Sequence, residues 1–143
     1  MTTTEAEPLR DLVHELAREL QADRCTLFTV DQANREVWSK IAIGLEIPEI
    51  RLPMHRGMVG YVARTGRLLN LKDAYNDPRF DRSVDAQTGY RTRSALTSAV
   101  LDPRSRVIGV LQALNKDGGA FTPQDEEMMR QYCQRAAELL AAG

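Results

Sequence analysis

Apolar residues at Leu9, Leu12, Val13, Leu16, Ala17 and Leu20 recur at steps of three and four, which lays them along one stripe and predicts an amphipathic helix over 9–20. The pattern then changes period. Cys25 to Val30 alternates and is rich in β-formers, Asp31-Gln32-Ala33-Asn34-Arg35 reads as a turn, and Val37 to Ala42 reads as the returning strand of a hairpin. A short strand is predicted at Ile50-Arg51-Leu52, before Pro53 and Gly57 break the pattern. Met58, Val59, Val62 and Ala63 suit a short helix that starts after Gly57 and stops at Gly66, and Leu68 to Leu71 reads as a brief strand. Ala95 to Leu101 and Val107 to Leu114 return to strand, joined by Asp102-Pro103-Arg104-Ser105-Arg106 with proline at a favoured turn position. A last helix is predicted from Pro123 to about Ala141. Thr122 is its N-cap, Pro123 takes the tolerated first position, and Asp125 falls three residues after the cap.

Helices at both ends of a mostly antiparallel set of strands indicate an α+β fold. The 143 residues suit one domain, 1–143, with no repeat, low-complexity segment or internal linker. Between Asp73 and Arg93 lies a polar stretch too long for a simple turn, and a loop of that length in a compact domain carries function or forms a lid.

Charge and composition narrow the classes. A formal net charge of −1 provides no general attraction for nucleic acid, and no DNA or RNA binding is expected. No apolar run approaches the ~20 residues of a membrane span, and Met1-Thr2-Thr3-Thr4-Glu5 lacks the basic and apolar regions of a signal peptide, so a cytoplasmic location with no membrane partner is expected. Cys25 in a strand pattern and Cys133 in a helix pattern read as buried apolar residues rather than as a disulfide or redox pair.

No catalytic constellation emerges. The sequence contains no HExxH, CxxC, GxSxG or phosphate-binding GxxxxGK[ST] pattern, and His14 and His55 read as surface residues. Asp73, Asp77, Asp81 and Asp85 recur every four positions, but Pro78 breaks a helix through the first two, and the calcium-loop glycine and closing glutamate are missing, so no metal is expected. A binding pocket fits the residues better. Gly57-Met58-Val59-Gly60 provides a helix N-terminus whose backbone N–H groups can face a phosphate. Thr88 and Thr92, four apart, share a face if the loop contains a helical turn there, and Thr26 can meet a ligand from the floor strand. Lys116 at a strand end and Asp125 in the next helical turn are placed to form an ion-pair clamp.

The pattern Asn115-Lys116, a short gap, Phe121, then Asp125-Glu126 resembles the structural motif of the GAF domains found in cyclic-nucleotide phosphodiesterases and adenylyl cyclases. The likeness extends through 57–66, 69–75, 77–80 and 88–94 and so covers nearly the whole chain. It implies a GAF fold: a central antiparallel sheet of about six strands, terminal helices packed on one face, and a ligand pocket under a lid on the other. It also implies a regulatory module rather than an enzyme, with no required cofactor and a small-molecule ligand, a cyclic purine nucleotide such as cAMP or cGMP. In that family Met58 and Val59 match the apolar pair whose backbone faces the cyclic phosphate, Thr26 a serine-like position under the base, and Asp85, Thr88 and Thr92 the lid and ribose-phosphate contacts. Four positions depart from it. Ala42-Ile43 stands where a phosphodiesterase pocket can have Phe-Asp, Asp81 where the lid has a tyrosine, and Gln112 where the last strand has an acid.

Met128, Met129, Tyr132, Cys133, Ala136, Leu139 and Leu140, added to the first helix's stripe, exceed what one thin sheet face covers, so a homodimer through the terminal helices is expected. The alternatives are a ligand-free dimerisation or docking module and a GAF-type free-methionine-sulfoxide reductase. The reductase chemistry needs a cysteine in the pocket loops, which Cys25 and Cys133 do not supply.

Overall fold

The structure, a computed structural model, describes residues 6–44 and 49–142; the start Met1–Glu5 lies outside the described residues. The chain runs α1 (Ala6–Leu20), β1 (Ala22–Asp31), β2 (Glu36–Ile43), β3 (Arg51–Pro53), α2 (Gly57–Thr65), β4 (Leu69–Leu71), a 3-10 turn (Ala74–Asn76), α3 (Ser83–Thr88), β5 (Ala95–Leu101), β6 (Val107–Lys116) and α4 (Pro123–Ala142). The strands form one six-stranded antiparallel sheet in the order β3-β2-β1-β6-β5-β4. This is the α+β arrangement expected from the pattern.

Strand alternation assigns the two faces. Leu27 and Leu111 face α1 and α4 and pack with Leu9, Leu16, Leu20 and Met129, whereas Phe28 and Val110 face α2 and pack with Val37, Met58 and Val62. The β1–β2 pairing skips from Leu27↔Ile41 to Phe28↔Ser39, which leaves Lys40 as the extra residue of a bulge. Beyond the bulge, Val37 joins the α2-side core, while Ile41 joins the helix-side core. On the α2 side the helix lies so close to the preceding turn that a Cβ at Gly60 would come within 2.7 Å of the Met54 carbonyl oxygen.

The start of α4 is built as its sequence indicates. Thr122 N–H donates to Asp125 Oδ2 (2.8 Å) and Asp125 N–H donates to Thr122 Oγ1 (3.1 Å), a reciprocal cap. Lys116 Nζ lies 2.9 Å from Asp125 Oδ2 and also donates to the Leu20 carbonyl (3.0 Å). The expected clamp is therefore wider than a strand-to-helix pair, because it holds the last carbonyl of α1 as well as the first turn of α4.

The apolar surplus inferred for the terminal helices is corrected by the packing. Met129, Tyr132, Cys133 and Ala136 are buried, and Met128, Leu139 and Leu140 pack against the same core. Among the described residues the exposed large apolar side chain is Leu101, on neither helix. The two helices lie against one another and cover each other's flanks, joined by Tyr132 Oη donating to Glu15 Oε1 (2.9 Å) and by an ion pair from Arg135 to the same oxygen (2.9 Å).

Candidate functional site: a pocket between the sheet, α2 and the lid

The alternation that buries Phe28 beneath α2 also directs Arg24 and Thr26 to that side of β1, and Leu114 and Gln112 of β6 stand beside them through the pairs Arg24↔Leu114 and Thr26↔Gln112. These residues floor a pocket. Met58 and Val59 of α2 line one wall, and the lid contributes Phe80, Asp81, Val84 and Asp85. The cavity they enclose measures about 60 Å³, room for a few water molecules, whereas sites for small organic ligands run to roughly 300–1,000 Å³. A ligand of nucleotide size therefore enters only if the lid moves.

The lid, expected as a loop over 73–93, contains the 3-10 turn and α3. It is held by three polar anchors. Asp85, 6% exposed, accepts hydrogen bonds from Thr92 N–H (2.7 Å), Thr92 Oγ1 (2.9 Å) and Tyr75 Oη (2.7 Å). That last bond, with Asp85's negative charge, raises the Tyr75 phenol above its usual range. Asp81 pairs with Arg56 (3.2 Å) and accepts from Ser83 N–H (2.9 Å). At the far end Tyr90 Oη donates to Asp23 (2.6 Å) and accepts from Asn115 Nδ2 (2.9 Å), while the Arg24 guanidinium stacks 3.6 Å from its ring centre. Burial, then the Asp23 carboxylate, push the Tyr90 phenol well up. Asn115 is the node of this end, since its Oδ1 also accepts from Arg93 N–H (2.6 Å) and Ser94 N–H (3.2 Å) and its Nδ2 donates to the Arg91 carbonyl (2.9 Å).

Of the positions singled out from the sequence, the structure brings Thr26, Met58, Val59, Asp81, Asp85, Thr92 and Gln112 to the cavity. It does not bring Ala42, Ile43 or Thr88. Ala42 pairs with Thr26 and shares its face but stands outside the lining, and Ile43 pairs with Cys25 and packs on the helix side, because adjacent strand residues point to opposite faces. Thr88 and Thr92 do not share a helical face: α3 ends at Thr88, Gly89 turns left-handed (φ +78°), and the Thr88 hydroxyl donates back to the Val84 carbonyl (2.9 Å). Asp81, part-exposed, lines the cavity beside Arg56.

Arg24, Arg56, Phe80 and Tyr90 line the pocket without having been singled out. For Arg24 a signal existed, since it sits two residues before Thr26 and period two places both on one face. Among the described residues no group of three or more His, Cys, Asp or Glu is placed to hold a metal ion, and no helix is long and apolar enough to cross a membrane. Cys25 and Cys133 lie in the helix-side core away from the pocket, and burial pushes both thiols up to about 12.

The sequence profile described as GAF domain matches residues 5–140. The chain is 42% identical over 129 residues to a probable 3',5'-cyclic phosphodiesterase, pde-5, of Caenorhabditis elegans, a match covering 80% of this chain and 18% of that protein. It is 33% identical over 126 residues to the dual 3',5'-cyclic-AMP and -GMP phosphodiesterase 11A of Takifugu rubripes, covering 79% of this chain and 14% of that protein. The chain thus spans less than a fifth of either relative's length. The GAF domain of a phosphoenolpyruvate-protein phosphotransferase from Coxiella burnetii superposes with a TM-score of 0.87 at 21% identity, over 99% of this chain and 84% of that one, a likeness of fold. With the family profile matched over residues 5–140, Lys116 paired with Asp125, and the six-stranded sheet between terminal helices and a lidded pocket, the chain belongs to the GAF domain family.

Proposed function

We propose that this chain is a cytoplasmic sensor module that takes a cyclic purine nucleotide into the pocket beneath the lid and passes occupancy to an output domain or partner. The observation that carries the reading is the pocket floor. Thr26 and Gln112, 3% and 9% exposed, turn polar side chains toward the cavity beside the apolar Phe28, Met58 and Val59; among the described residues the Thr26 hydroxyl has no hydrogen-bond partner, and the Gln112 side chain makes one long bond, Nε2 to Thr97 Oγ1 at 3.4 Å. Polar groups that face a cavity with bonds still to make favour a ligand that supplies them. An amide offers a donor and an acceptor side by side, the pair that reads adenine, so Gln112 favours cAMP over cGMP. The likeness to cyclic phosphodiesterases supports the same class of ligand.

Calorimetric titration with cAMP and cGMP tests this. Saturable binding with cAMP preferred is expected, and Gln112→Glu, which removes the donor, is expected to reduce that preference at least ~10-fold, about 1.4 kcal/mol. Absence of heat with both nucleotides, in a protein shown to be folded, refutes the reading.

A second reading rests on the small cavity: the pocket is filled by the chain's own side chains, and the domain acts by docking or by forming a homodimer through α1 and α4. With the apolar stripes of both helices covered within the chain, such a dimer would join polar faces, and light scattering at tens of micromolar decides it. A sulfoxide-reductase reading finds no cysteine in the pocket lining.

A further inference from the structure

The lid brings its own anion to the cationic corner of the pocket. Asp81 lines the cavity with its carboxylate 3.2 Å from Arg56 Nε, and its Cβ lies 3.1 Å from where a side chain on Gly57 would begin. Gly57 opens α2 at φ +78°, where glycine is unstrained, and the N-cap residue Arg56 makes no side-chain cap hydrogen bond. The first N–H groups of a helix lack intrahelical partners and carry partial positive charge, and Arg56 adds a full charge beside them. The corner therefore attracts an anion, and the carboxylate that stands beside it is that of Asp81, held there by Arg56. In the same cavity the Thr26 hydroxyl, on a residue 3% exposed, has no hydrogen-bond partner among the described residues. The pocket floor is thus left open for a ligand while its anion subsite is occupied by the chain itself.

We infer that Asp81 is a built-in competitor for the anionic group of the ligand, so that Arg56 and the first turn of α2 hold either the lid's carboxylate or the ligand's phosphate. The inference rests on the reading of the pocket as a site for an anionic nucleotide and goes further in saying how binding moves the lid. A phosphate entering the corner meets Asp81 as a like charge at close range and expels it. Expulsion breaks the Arg56 pair and releases the segment leading into α3, whose first amide is held by Asp81 Oδ1. A neutral nucleoside has no charge with which to do this. The ligand's charge, more than its base, is what opens the lid.

Asp81→Asn tests the competition, because the amide keeps the shape and the oxygen that accepts from Ser83 N–H while removing the charge. Wild type, D81N and R56Q are titrated with cAMP, cGMP and the neutral nucleoside adenosine. D81N is expected to bind both nucleotides at least 10-fold more tightly than wild type, with adenosine unchanged; R56Q is expected to bind the nucleotides at least 10-fold more weakly. A purely structural role for Asp81 as lid anchor shifts adenosine and the nucleotides together, and that outcome overturns the inference. Equal or weaker nucleotide binding by D81N, with wild type still binding, overturns the inference and leaves the nucleotide reading standing. If neither protein binds either nucleotide, that reading falls, and hydrogen exchange with inorganic phosphate decides the inference. Protection of amides 57–60 by phosphate in D81N but not in wild type upholds it, and its absence overturns it.

Discussion

Asn115→Ala tests whether the Asn115 side chain is what ties the end of the lid to the sheet. Asn115 is 4% exposed and makes four side-chain hydrogen bonds, accepting from Arg93 and Ser94 N–H and donating to the Arg91 carbonyl and Tyr90 Oη. It also sits at φ +59°, a left-handed conformation that asparagine tolerates better than alanine. Each hydrogen bond contributes about 1 kcal/mol net. Tyr90 Oη retains Asp23, whereas the two amides and the Arg91 carbonyl lose a partner, and the left-handed backbone adds about 1 kcal/mol of strain for alanine. The expected loss is about 3–5 kcal/mol. Urea denaturation reads it directly: with a slope near 2 kcal/mol per molar, the midpoint falls by roughly 2 M at unchanged slope. Asn115→Gly removes the same bonds without the strain and is expected to lie about 1 kcal/mol above the alanine variant. A loss below ~1 kcal/mol in Asn115→Ala would refute the reasoning, since it would mean that the four bonds are replaced by solvent at no cost.

Lys116→Met is expected to cost about 3 kcal/mol, because it leaves Asp125, whose side chain is 11% exposed, without its cation and frees the Leu20 carbonyl. At this chain length that lowers Tm by roughly 6–12 °C, and a fall of under ~3 °C by scanning calorimetry would show that the clamp contributes no more than a surface pair. Cys25 and Cys133, with thiols at about 12, hold only ~1 thiolate in 10,000 at pH 8, four pH units below. Both are expected to react with a thiol reagent only after denaturation, and rapid stoichiometric labelling of the native protein would overturn their placement in the core.

The amino-acid sequence by itself determined what depends on neighbours a few residues apart. The three- and four-residue spacing from Leu9 to Leu20 sets the buried stripe of α1, and the alternation in β1 and β6 sorts residues between the two sheet faces. Thr122, Pro123 and Asp125 start α4 where they must, since a cap is satisfied within its own turn. Even the Lys116–Asp125 clamp was legible, because one short loop joins its ends. Only the tertiary structure decided the rest. No local pattern marks Lys40 as a bulge, because a bulge is defined by the partner strand across which the register slips. Thr88 and Thr92 are four apart in the chain yet part at Gly89, where the helix gives way to a left-handed turn set by how the lid must return to β5. Arg56 and Asp81, or Asn115 and Arg93, meet across more than twenty residues, and chain entropy allows such distant pairs only once the sheet and core have fixed the elements that carry them.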